Sequence, residues 1–581
     1  MKKSSAPRFT RRELFYSSFA GVAATTWLRP EKTPQASRKT MTNPNDTNPN
    51  TTSSPALRYY YPLQTPKKPL EMEVDICVYG SSPAGIAAAI QARRMGKTVV
   101  LLSFDTHIGG LSSGGLGATD IGNKAAIGGI SREFYRNLGT HYQEAEHWTF
   151  EPHVAEETLR AMCREARVPI YYEQRLTGVE KQGSRITALT TEGGHHFRAR
   201  YFVDATYEGD LLAKAGVSYT VGREPNSQYN ETYNGVHFGH RNHNFKTPVD
   251  PFVTPGDPKS GLLIGISDEP PGEQGQGDKK VQAYNFRLCM TNAPDRLPFP
   301  KPAGYDPARY ELFARYLNAA PGNWDALRLS TKMPNAKTDT NNFGGFSSDN
   351  IGMNFEWPDG DYATREKIFQ DHVTYHQGMM WFLCHDERVP AAVREEVKQW
   401  GLPRDEFTET GSWPHQLYIR EARRMVGDYV MTEKNCKWEE NVPDSIGLAA
   451  YGMDSHNCQR IARQENGVWT ARNEGNVEYK VAGPFPIAYR SLLPKQKECE
   501  NLIVPVCLSS THIAYGSIRM EPVFFVLGQS AATAICLSLE KGTPALHEVN
   551  VEELQKRLLA DKQILRWTPP KADTEAPKRE N

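Results

Sequence analysis

Two constellations in this sequence have residue types and spacing suited to chemistry. The first is Gly80-Ser81-Ser82-Pro83-Ala84-Gly85. A turn of this kind at the start of a helix offers unpaired backbone N–H groups and the positive end of the helix dipole to a phosphate. Its outer glycines allow a sharp turn and a close helix–strand contact. The match to a dinucleotide fingerprint is incomplete. Ser82 stands in the middle glycine's place, and Pro83 has no N–H to donate. Ser82 is small, and its hydroxyl can contact a phosphate itself. Ser103, with Asp105 nearby, holds the place of the acidic residue that binds a ribose. A bare glycine turn in an unrelated α/β protein is the competing reading. The second constellation is Arg420 and Arg424, within a run from Trp413 to Met425. At i, i+4 spacing they share one face of any helix formed there. Two rigid guanidinium forks on one face suit an anionic or polyhydroxylated group, and Trp413 and Tyr418 offer flat faces for a sugar ring. A salt-bridged face with Glu421 is the alternative.

The elements that position these groups follow from periodicity. Val74, Ile76 and Val78 form a β-branched run ending at Gly80. Residues 84–95 are alanine-rich, as a helix packed closely on a sheet should be, and residues 98–102 read as a second buried strand. Helices are expected at 131–141 and 156–166, then short strands at 170–173, 175–181, 185–191 and 196–203. From about 216 to 480 the pattern turns irregular, with long loops rich in Pro, Gly and Asn. Residues 335–346, containing Thr338, Asp339, Thr340, Asn341 and Asn342, form a polar loop that could line a pocket or simply lie on the surface. Asp454, Ser455, His456 and Asn457 are a second polar cluster. A helix at 362–384 carries Tyr375, Met379 and Phe382 toward a core. Residues 501–507 read as a last core strand, and 523–539 as a buried helix interrupted by Gln529, Ser530 and Thr533.

After the first strand–turn–helix–strand unit comes Gly109-Gly110-Leu111-Ser112, in a stretch too glycine-rich for a regular element. The combination resembles the FAD-dependent oxidoreductases of the glutathione-reductase-like superfamily. In detail it resembles a broad bacterial family whose members are sometimes labelled xanthan lyase or heterodisulfide-reductase-like. The resemblance covers nearly all of residues 71–567. It implies an α/β fold: a Rossmann-like FAD-binding domain, with a parallel sheet and a β-meander, carrying an inserted mixed α+β substrate domain. The implied segments are 71–215 and 481–567 for the FAD domain and 216–480 for the insert. The implied cofactor is FAD. The residues expected to hold it are Gly80, Ser81, Ser82, Ala84, Gly85, Ser103, Gly109, Gly110, Leu111, Ser112, Leu176, Ala205, Thr206, Gly516, Gly528 and Gln529. A Gly-Asp or Gly-Arg pair common in the superfamily near Pro505-Val506-Cys507 is absent. The implied activity is hydride transfer from a polar, carbohydrate-type substrate to the flavin. Oxidising an alcohol also needs a base, and histidine titrates near neutrality. His512 is the first candidate because its segment should run beside the flavin; His415 is the second. A covalent link from His107 to FAD is not expected.

Composition narrows the rest. The chain has 581 residues and a formal net charge of +0, which argues against a nucleic-acid partner. Nine cysteines include no CxxC pair, so no zinc ribbon, cysteine-bound cluster or other metal site is expected. Residues 1–30 read as a twin-arginine export signal around Arg11 and Arg12, with a periplasmic or extracellular destination. Residues 31–70 read as a disordered linker and 568–581 as a disordered tail. No stable membrane span is expected once the signal is removed. The partners implied are a small polar substrate and an unidentified electron acceptor. A flavin electron-transfer component and a non-catalytic glycan-binding protein are the alternatives.

Overall fold

The computed structural model describes residues 57–63, 68–239, 242–327, 329–330 and 333–568. The export signal, most of the expected linker and nearly all of the expected tail lie outside these residues.

A seven-stranded sheet organises the fold. Strands β1 (Glu71–Tyr79), β2 (Val99–Leu102) and β3 (Ile170–Tyr171) run parallel in the order β3-β2-β1. A meander follows: β4 (Leu176–Gln182), β5 (Arg185–Thr191) and β6 (His196–Asp204). β6 returns parallel to β1, from Glu71↔His196 to Tyr79↔Asp204. Its other edge is shared. The first part pairs with antiparallel β5, and the last part pairs with β7 (Leu502–Ile503), parallel, at Phe202 and Val203. Segments from 71–204 and from 502–503 therefore meet in one sheet. In open parallel sheets a ligand sits beyond the carboxyl ends of the strands, here Gly80, Ser103, Ala205 and Val504.

Helix α1 (Pro83–Arg94) packs on this sheet. Its alanines let a second helix, Glu521–Lys541, approach closely. A Cβ on Gly528 would lie 2.0 Å from the Ala84 carbonyl oxygen, so only glycine fits there. That second helix has a mean hydropathy of 1.7 over its most apolar window and is buried in the protein interior. α2 (Gly129–His141) and α3 (Pro152–Glu165) complete this part, with Leu159 and Met162 of α3 buried as expected.

Between the two sheet-forming segments lies α4 (Tyr362–His385), capped by Asp361 and burying Phe369, Tyr375, Met379 and Phe382. Around it are irregular chain and small antiparallel pairs, such as Gln459–Glu465 with Val468–Glu474. Residues 413–423 form no helix. The chain bends at Trp413, His415 and Gln416; Tyr418 bridges Asn285, and Arg424–Met425 pair with Tyr219–Thr220. The i, i+4 helical face expected for Arg420 and Arg424 does not exist, because this segment's backbone groups pair with separate elements. Tyr418 N, for example, donates to Asn285 O at 2.8 Å.

Candidate active site

At the Gly80 turn the backbone does most of the work. Gly80 has φ +104°, and a Cβ there would lie 2.5 Å from the Ala205 carbonyl carbon. A Cβ on Gly85 would lie 1.9 Å from Gly80 O, so the third glycine permits the helix–strand contact. Ser81, Ser82, Ala84 and Gly85 have N–H groups without an acceptor among the described residues. Ser82 Oγ donates to Ala205 O at 2.7 Å; its hydroxyl braces the turn instead of facing a phosphate. Ser81 Oγ meets Ser103 Oγ at 2.7 Å, and Ser103 Oγ donates to His107 O. A cavity runs along these groups. Gly80, Ser81, Ser82, Ser103, Gly110, Ala205 and Thr206 line it, together with Tyr207, Glu208 and His415. Unpaired amides at a helix N-terminus, beside glycine backbone in left-handed conformation, fit a dinucleotide diphosphate.

The glycine doublet closes onto Tyr207. A Cβ on Gly110 would lie 2.2 Å from the Tyr207 hydroxyl, which accepts from Leu111 N at 3.0 Å. Tyr207 donates to Glu521 (2.9 Å), and Ser112 Oγ donates to the same carboxyl at 3.2 Å. Burial pushes the Glu521 carboxyl up to about 8. Cys507 Sγ lies 3.3 Å from Tyr207 O. The C-terminal segment thus adjoins the residues of the Gly80 cavity.

Other residues expected to touch the cofactor have different neighbours. Ala84 and Gly528 pack against each other. Gln529 accepts from Ile130 N at 2.8 Å. Gly516 sits under Asp454 O, 2.3 Å from where its Cβ would be. Gly109 packs against Leu159 and Ser113. Leu176 is buried at the start of β4, with its N–H on the Tyr79 hydroxyl.

His415 and His512 occupy separate places. His415 lines the Gly80 cavity and stacks on His107, with ring centroids 3.7 Å apart. Burial, reinforced by His107, holds its imidazole well below the usual range. His107 is itself held between Glu156 (3.0 Å) and Glu409 (3.1 Å). His512 opens the helix His512–Ile518, capped by Thr511. Its Nδ1 lies 2.7 Å from Glu421 Oε2. Arg424 Nε (2.6 Å) and Gln282 Nε2 (2.6 Å) hold the same carboxylate. Burial opposes its charge, but His512 and Arg424 more than offset this and keep it at about 2. Arg424 is consumed by Glu421, Glu224, Ser510 O and Gly222 O, so its guanidinium is a buried brace with little left for a substrate.

Arg420 belongs to a buried polar network. It pairs with Asp349 at 2.9 Å and reaches Asn341 Oδ1 (3.2 Å) and Asn342 Oδ1 (3.4 Å). His456 Nδ1 meets Asp349 at 2.9 Å. Arg519 pairs with Asp454 and donates to the Tyr418 hydroxyl at 3.1 Å. Asp339 pairs with Arg287 and accepts from Ala118 N at 2.9 Å, tying the network to the glycine-rich segment. Gln282 links this network to the His512 pair, since its Oε1 accepts from His456 N at 3.1 Å while its Nε2 serves Glu421. Glu421, Gln282, Asp349, Arg287 and Arg519 carried no sequence signal beyond their types. Glu421 stood in the sequence only as a salt-bridge partner for the arginines.

Among the described residues one group has metal-ligand types: Glu151, His153, Asp405 and Glu406. The Lys337 ammonium sits among its carboxylates at 2.6 to 2.8 Å and balances their charge.

The sequence matches the family described as FAD dependent oxidoreductase over residues 75–558, and the chain belongs to that family. It is an FAD-dependent oxidoreductase of α/β architecture. Solved structures with partial likeness include the L-amino acid deaminase from Proteus vulgaris (14% identity, 28% of this chain and 54% of that one, TM-score 0.23). Another is the OxyS anhydrotetracycline hydroxylase from Streptomyces rimosus (16% identity, 26% and 36%, TM-score 0.20). A third is the bacillithiol disulfide reductase from Staphylococcus aureus (16% identity, 23% and 38%, TM-score 0.18). The chain spans between about a third and just over half of each of these. No curated protein matches the sequence.

Proposed function

We propose that this enzyme is a dehydrogenase that takes a hydride from a polar, hydroxyl-bearing substrate, with carbohydrate derivatives as the substrate class. The observation that carries this reading is the buried His512–Glu421 pair. The carboxylate fixes the imidazole proton on Nδ1 and leaves Nε2 as the acceptor, so His512 can take a hydroxyl proton as a base. Glu421 is the positioning residue, and Arg424 and Gln282 hold it. Bound FAD supplies the hydride acceptor. Gly80, Ser81 and Gly85 would hold its diphosphate, and the Gly110–Tyr207 contact would hold the chain near its ring system. Arg420, Asn341, Asn342, Asp349 and His456 supply alternating donors and acceptors of the kind that suit a polyol. Export by the twin-arginine route, which carries folded proteins, is consistent with a cofactor taken up in the cytosol; intact Met1 in protein purified from the cytosol would count against it.

The test is direct. Purified protein should show a flavin absorbance spectrum. A panel of sugars and sugar acids, read by anaerobic flavin bleaching, should contain a substrate. No bleaching by any of them, with rapid reduction by a partner protein, would favour an electron-transfer component. Colourless protein with high glycan affinity would favour a binding protein.

A further inference from the structure

Residues 57–63 fall within the segment whose composition reads as linker, yet they pack tightly. Leu57 is buried, and its carbonyl accepts from Gln370 Nε2 at 2.9 Å. The Tyr59 ring stacks on Phe104 at 4.7 Å and meets Trp357 edge-on at 4.8 Å. Tyr60 N donates to Glu366 of α4 (2.8 Å), and its hydroxyl donates to Glu192 (2.6 Å). Arg175 lies over the Tyr61 ring at 4.3 Å and donates to Tyr61 O. The arm therefore bridges the sheet's carboxyl edge and α4. Arg58 and Tyr59 line the same cavity as Gly80, Ser81 and Ser82.

Arg58 differs from its neighbours. It is exposed and has no ion-pair partner among the described residues. The other charged groups lining that cavity are Asp105, His107, Glu208 and Asp210. Asp105 accepts from His107 N; Asp210 is neutralised by Arg365 and Arg423; His107 is held by Glu156 and Glu409. Burial pushes the Glu208 carboxyl up to about 7. Arg58 is thus the one lining cation left free among the described residues. The turn itself offers backbone N–H groups but no cationic side chain; Pro83 has no N–H, and Ser82 Oγ is spent on Ala205 O.

We infer that residues 57–63 form a clasp over the dinucleotide cavity, in which Arg58 supplies the cation for the cofactor's diphosphate and Tyr59 fixes the arm against Phe104. The inference rests on the FAD reading of the Gly80 cavity. Charge-assisted hydrogen bonds from a guanidinium to phosphate are strong, and an exposed one weakens in salt.

The experiment uses full-length holoprotein and the release of FAD, followed by the rise in free-flavin fluorescence after dilution. Arg58→Ala should release FAD about tenfold faster than wild type. Arg58→Glu should be faster still, and both ratios should shrink at high salt. Arg58→Lys should lie between Arg58→Ala and wild type. Melting temperatures of the apoproteins should be unchanged, since Arg58 makes no pair within the fold. Release from Arg58→Ala and Arg58→Glu within twofold of wild type would overturn the clasp. A wild type that is colourless and takes up no FAD would overturn the cofactor reading itself, a separate outcome.

Discussion

Around Gly80 the groups offered to a ligand are backbone N–H groups and a glycine turn. Around Arg420 and His512 they are side chains, each already held by a charged or polar partner. The first region needs few residues, all close in sequence, because one helix N-terminus collects its donors. The second needs residues from six separate stretches, because a buried arginine or glutamate is stable only when paired. His415 and His512 make the difference concrete. The first is a half-buried, uncharged imidazole stacked on another ring in the cavity; the second is a ring oriented by a carboxylate.

The largest effect is expected from removing the proposed base. His512→Ala should slow flavin reduction by a bleaching substrate about a hundredfold to ten-thousandfold, with FAD still bound, in stopped-flow absorbance. Glu421→Gln should slow it less, since a glutamine oxygen can still accept from the ring N–H and hold the imidazole in place. His415→Ala should leave reduction within a few-fold of wild type; an equal loss from both histidines would erase the distinction.

The next effect is on stability. Arg424→Met leaves Glu421 and Glu224 buried without their main cation and should cost about 3–5 kcal/mol by denaturant unfolding. On the backbone side, Gly85→Ala forces a Cβ into Gly80 O and should cost about 1–3 kcal/mol, with FAD lost on gel filtration.

The smallest effect concerns pH. Glu521 is held up at about 8 by burial, so the folded state keeps its proton far above the ordinary carboxylate range. Its contribution to stability is full below that ordinary range and is lost as pH rises through about 8. Wild-type melting temperature should therefore fall between pH 6 and 9, and Glu521→Gln should flatten the fall. An identical slope in both proteins would show that Glu521 does not titrate there.

The local elements were legible because their causes are local. The strand at Val74, Ile76 and Val78, the alanine-rich α1 and the Gly80 turn follow from side-chain period and glycine freedom, and the structure has each of them. The shared helical face considered for Arg420 and Arg424 fails for the complementary reason, that its outcome depends on distant partners. Residue spacing there satisfied a helix, but Asn285, Ala283 and the buried carboxylates drew the backbone and both arginines into extended contacts. The packing of the arm at 57–63 is not legible locally: it follows directly on the Asn-, Thr-, Pro- and Ser-rich run at 42–55, and its tyrosines find their partners far along the chain, in residues such as Phe104, Trp357 and Glu192.

By itself the sequence determined the dinucleotide turn, the parallel strands around it and the residue types available for proton transfer, since each depends on neighbours a few positions away. Only the tertiary structure decided that Glu421 orients His512, that Arg424 is a brace, and that Arg420, Asn341 and His456 share one network. Those pairings join groups 79 to 174 positions apart, and burial, not spacing, selects which charge meets which.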